Sequence, residues 1–269
     1  KPRTVIAVLV LVLCFFASFI KDFKLDASAD SLILEDDQDL KIFRETSERY
    51  NSNEFLVVTY SPKEDLFDEQ SLSTIEALSA DLKTVNNVES VTSILDVPLL
   101  KMTGLELADI TKGKILYLKD KNINKEKAKE EILSSPVFKD LILSQDSKTT
   151  ALIVNLERNQ KFYDLIKKRD ELKTKKRSAG LSEEEEKNFK DVIREYEILN
   201  EKLNNQRHQN IIDTRNILSK YKSTANLHLG GVPMIADDMI SFIKSDLRVF
   251  GIGVLIFILG TLAFIFRKI

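Results

Sequence analysis

Apolar positions along the chain fall into three spacings, and each predicts a different kind of element. Two runs are unbroken. Residues 249–266 carry no charge and close on Arg267 and Lys268, and residues 4–20 form a second run with Lys1 and Arg3 before it. At a helical rise of ~1.5 Å per residue, the later run covers about 27 Å, close to the ~30 Å hydrocarbon core of a bilayer. A soluble helix of that length carries a polar stripe, whereas this run offers only Thr261 and three glycines, Gly251, Gly253 and Gly260. The first run alone could be a secretory signal, with Ala27-Ser28-Ala29 as its cleavage site. Its apolar part exceeds the usual ~7–15 residues, however, and a second span follows. Basic residues outside both runs predict spans at 4–20 and 247–266, both termini in the cytoplasm, and residues 21–246 on the far side.

Between the runs the spacing changes to that of a mixed domain. Residues 54–60 (EFLVVTY) read as a strand buried on both faces. Leu72, Ile75, Leu78, Leu82 and Val85, three and four apart, predict an amphipathic helix, and residues 88–95 a second strand. Asn124 is a candidate cap for a short helix carrying Ala128, Ile132 and Leu133. Ser135-Pro136 reads as the start of another. Residues 149–156 (TTALIVNL) predict a third, central strand, and Leu227-His228-Leu229 a short fourth. Residues 160–222 hold one glycine and no proline, and Ser182 with Glu185 forms a capping box. The rhythm from Phe189 through Val192, Tyr196, Leu199 and Leu203 to Leu218 predicts an antiparallel helical hairpin with a narrow seam. Its long arm, about forty residues, would reach roughly 60 Å. The hairpin is expected as an insertion in an α+β domain of βαββαβ order, the ferredoxin-like split βαβ arrangement, flanked by two transmembrane helices.

Composition narrows the function. The 40 basic and 42 acidic residues leave a net charge of −2, which argues against nucleic acid as a partner. Cys14 is the single cysteine and lies in the first run, so the outer domain holds together by packing alone. There is no Walker-type glycine loop and no Cys/His metal spacing, and His208 and His228 stand isolated. The expectation is no enzyme, with no catalytic, cofactor or metal residues. The acidic run at 183–186 complements a helix dipole. Asp237, Asp238 and Asp246 read as hydrated residues of the helix entering the second span. Gly230, Gly231 and Pro233 are the candidate hinge, because glycine frees the backbone and proline fixes φ.

Three stretches carry a resemblance. Residues 26–41, beginning Asp-Ala-Ser-Ala-Asp-Ser, resemble the segment after the first transmembrane helix of the RND superfamily, most nearly its MMPL-like, hydrophobe/amphiphile efflux-3 branch. Residues 53–60 resemble that branch's first porter strand. Gly230-Gly231-Val232-Pro233, with Asp246-Leu247 ahead of the span, resembles its join from porter domain to second helix. The resemblance implies a bacterial inner-membrane, proton-driven exporter of lipids or other amphiphilic compounds. This chain would supply the first helix, the periplasmic porter domain and the second helix of one repeat. Its partners would be a membrane lipid or amphiphilic substrate and the remaining repeats of the transporter. The hairpin would serve a homo-oligomer contact or a periplasmic partner. A different class also fits two spans around an outer domain: the extracytoplasmic sensor of a membrane receptor.

Overall fold

The computed structural model describes residues 53–100, 115–120 and 123–265, with single positions among residues 8–50. The expected first span, residues 4–20, therefore lies almost wholly outside the described residues. In chain order the elements are β1 (Phe55–Pro62), α1 (Glu69–Leu82), β2 (Val88–Thr92), a 3-10 turn (Ile94–Asp96), β3 (Pro98–Leu99), β4 (Leu116–Tyr117), α2 (Lys125–Ser134), β5 (Thr150–Leu156), α3 (Gln160–Ser178), α4 (Glu183–Lys220), β6 (Ala225–Gly230) and α5 (Val232–Ile265). The class is α+β. The described residues form two compact units that divide between Asp237 and Asp238.

The main sheet has the order β2-β5-β1-β6, and every neighbouring pair is antiparallel. β5 and β1 are the central strands, opposed from Phe55↔Asn155 to Tyr60↔Thr150. Side chains of a strand alternate between faces, and here one set is buried. Leu56, Val58 and Tyr60 of β1 and Leu152 and Val154 of β5 are at most 1% exposed. Ile75, Leu78 and Leu82 of α1 join them in one core with Ile217 and Leu218 of α4. Burying each of these side chains contributes roughly 1.5–3 kcal/mol. The other set, Val57 and Thr59 among it, is only half-buried. β1 is thus central but not covered on both faces, because α1 and α4 pack on the same side of the antiparallel sheet.

The hairpin is present, and its extent differs from expectation. Leu165 of α3 packs with Val192 and Tyr196 of α4 in a small separate cluster, and Phe162 stacks on Tyr196 with centroids 5.5 Å apart. α4 has 38 residues, about 57 Å. Only its first half pairs with α3; its last turns lie in the main core. The insertion and the domain's second core helix are one continuous helix, so residues 160–222 are not a detachable arm.

Local signals set the ends. The Asn124 side chain accepts the Lys127 N–H at 3.1 Å, and Ser182 and Glu185 make the reciprocal capping box. Ser135-Pro136 starts no helix. Ser135 ends α2, its hydroxyl accepts the Val137 and Phe138 N–H groups, and Asp140 at φ 62° turns the chain. Beyond the sheet unit, α5 runs for 34 residues. Its uncharged described stretch, residues 249–265, covers about 26 Å. Among the described residues no helix is long and apolar enough to cross a membrane.

Candidate functional site

The junction between β6 and α5 brings the three hinge candidates together and gives each a different role. Gly230 is the last ladder residue, opposite Val57. Gly231 adopts φ 115°, and its carbonyl accepts the Ile235 N–H at 3.1 Å, the first bond of α5. A Cβ on Gly231 would lie 2.8 Å from the Phe55 carbonyl oxygen and 3.1 Å from the Leu56 Cα. Only glycine tolerates both that backbone region and that contact. Pro233 sits in the first turn of α5, where its missing N–H costs nothing. The start of α5 is therefore pressed against the backbone of β1.

Two side-chain pairs flank this junction, both reaching out from one turn of α4. Arg207 donates to the Glu54 carboxylate at 3.2 Å and to Asn204 at 2.6 Å, tying α4 to the residue before β1. His208 Nδ1 lies 2.9 and 3.0 Å from the two carboxylate oxygens of Asp237. Asp237 is 8% exposed, so it is not the hydrated residue its place beside Asp238 suggested. A carboxylate with little access to water needs such a partner, and His208, itself about half exposed, provides one. The pair spans 29 positions, and neither member stands in a local motif, so no sequence signal could have joined them. His228 is exposed on β6, opposite Thr59.

The half-exposed face of the main sheet is a second feature. At its regular register positions it presents Phe55, Val57 and Thr59 of β1, Ile153 and Asn155 of β5, and His228 of β6. Asn155 donates to Ser90 of β2 at 3.0 Å, and Ser61 and Thr149 share a hydroxyl contact at 2.7 Å. No Asp, Glu, Lys or Arg occupies these positions, although such residues make up 30% of the chain. Glu89, in the bulge of β2, is held aside by Asn53. A surface of this kind accepts apolar or neutral groups without desolvating a charge.

Among the described residues no group of histidine, cysteine and carboxylate side chains could hold a metal ion. Comparison with protein-family models and with curated proteins finds no match.

Proposed function

We propose that this chain is the first helix, porter domain and second helix of one repeat of an RND-type inner-membrane exporter of lipids or other hydrophobic and amphiphilic compounds. The observation that carries this reading is the way the sheet leads into α5. β6, at the edge of the sheet, passes through a single constrained residue, Gly231, into a helix whose residues 249–265 carry no charge. Nearly all large apolar side chains of that stretch are exposed, among them Phe250, Leu255, Phe257 and Phe264. Such a surface needs a lipid or protein covering. The second span then comprises residues 247–266, and the first, residues 4–20, is its counterpart across the same bilayer. The sheet unit lies in the periplasm.

The sheet fits the same reading. With α2 and the β3–β4 pair set aside as one insertion and the hairpin as another, the order is βαββαβ. β1 and β2 run parallel with β5 between them, the split βαβ arrangement of ferredoxin-like domains. In the exporter its uncharged face forms one wall of the path for a neutral or amphiphilic substrate. The opposite wall belongs to the second repeat, and the path opens and closes as the repeats rock against each other. Gly231 is the fixed joint of that motion rather than a loose hinge, because no freedom is left at its contact with β1. No charged residue lies in either apolar run, so proton coupling resides in the remaining repeats.

The test is a native mass spectrum and lipid extraction of the full-length protein from gently solubilised membranes. Enrichment of one lipid or amphiphile class, lost when the sheet unit is removed, is the expected result. Bulk phospholipid alone, with a cytoplasmic signalling protein co-purifying, would favour the second reading, a two-span receptor. The uninterrupted course of α5 from sheet to apolar stretch is what keeps that reading in view.

A further inference from the structure

The stretch of α4 between its two packing regions is built against its own helix propensity. Of residues 200–210, Asn200, Asn204, Asn205, Gln206, Gln209 and Asn210 are carboxamides. Asparagine is a poor helix former. Neither α3 nor the main core takes up that cost by packing on Asn205, which is exposed. A local preference broken without a structural return marks a place to look for function.

Four of these amides line one groove, Asn205, Gln206, Gln209 and Asn210, and a fifth comes from outside the helix. Asn86 reaches the groove from the turn after α1, where Asn87 adopts φ 58°. The groove is shallow and open to solvent, with a volume of about 710 Å³. Asn210, 5% exposed, is the most buried residue of the lining, and its backbone carbonyl accepts from the Thr214 hydroxyl at 2.7 Å. Glu201, Lys202 and Asp213 stand in the same lining, with Gln209 donating to Asp213 at 2.9 Å. Ile198, 63% exposed, adds one apolar side chain to the lining.

A carboxamide both donates and accepts hydrogen bonds, as a hydroxyl does, and adjacent amides match adjacent hydroxyls. One ammonium against two carboxylates makes the groove a poor host for phosphate. The Ile198 side chain suits the C–H face of a sugar ring. We infer that the Asn86–Asn210 groove binds a neutral polyhydroxyl group, a sugar, either free or as the headgroup of a glycolipid. The inference does not depend on the transporter reading, because sugar binding is a property of this groove whatever the chain is part of.

The experiment is saturation-transfer NMR on the whole chain in a detergent without a sugar headgroup. The probes are maltose, lactose and chitobiose at about ten times a ~1 mM Kd, and, in a separate arm, a galactosyl diglyceride carried in bicelles. Saturation of ring protons in any probe, reduced at least tenfold in the double variant N205A/Q206A, supports the inference. A signal from a disaccharide identifies a free sugar as a ligand; a signal from the galactolipid alone identifies a headgroup. Alanine is the better helix former at both positions, so the variant is expected to fold, which circular dichroism verifies. No saturation with any probe overturns the inference, as does a signal that the double variant leaves unchanged.

Discussion

Gly231 leaves no room for a methyl group. Gly231→Ala forces a left-handed alanine 2.8 Å from the Phe55 carbonyl oxygen, and a loss of about 2–4 kcal/mol in chemical denaturation is expected. Gly230→Ala, 3.8 Å from its nearest neighbour and without the unusual φ, should cost far less. Tyr60 gives a second prediction. Burial pushes its phenol above the ordinary value of 10.0, although the side chains of Thr74 and Ser71 pull the other way. The folded-state value is raised, so the stability this group contributes is complete below pH 10 and is lost as the pH climbs through the folded value. Alkaline unfolding should therefore begin later in Tyr60→Phe. Tyr221 keeps part of the effect, since burial and the Asp81 carboxylate raise its value too. A pH titration followed by circular dichroism measures both. At this scale the sequence was legible where one residue's chemistry suffices, as with the caps Asn124 and Ser182. It was silent on His208 and Asp237, because their pairing is a product of the fold.

Among the elements, the hairpin depends on a thin seam and a row of exposed ion pairs. Lys175 bonds Glu185, Lys176 meets Glu186 at 2.8 Å, and Lys161 meets Glu195 at 2.6 Å. The hydrogen bond from Lys175 holds Glu185 below its ordinary value of 4.5, and that from Lys161 does the same for Glu195. Depressed values contribute stability above pH 4.5 that is lost as the pH falls through the folded values. Amide exchange in α3 should accelerate below about pH 4.5 before exchange in β1 and β5 does. Removing residues 164–195 behind a short turn should leave the sheet unit folded, with an unchanged core signal in heat denaturation. Removing all of 160–222 should unfold it, because Ile211, Ile217 and Leu218 go with it. Periodicity made α1, the hairpin and the four main strands legible. It could not say where α4 stops being insertion and becomes core, since the apolar rhythm continues through both. Ser135-Pro136 misled for a related reason: a serine hydroxyl accepting the next N–H groups serves a turn as well as a helix start.

For the whole molecule, the exposed apolar half of α5 dictates behaviour in solution. Full-length chain should partition into detergent, and a form of residues 21–246 alone, lacking both apolar runs, should stay in the aqueous phase with its sheet intact, as phase separation in a nonionic detergent would reveal. The alternation of strands and helices made the class legible. The pairing of strands followed less directly, because antiparallel partners far apart in sequence leave no local trace. That distance has a consequence in time. β1 ends at Pro62, its partner β5 begins at Thr150, and its other partner β6 not until Ala225. About ninety residues must emerge before the central pair can form, and about seventy more before the edge closes. Loop closure over such spans is slow. At a synthesis rate of ~5–20 residues per second, β1 waits several seconds with Leu56, Val58 and Tyr60 uncovered. The long helices do not share that delay, so α3 and α4 are ready to wind before the sheet is complete. Their early order gives β6, when it arrives, a surface already in place against which to find β1.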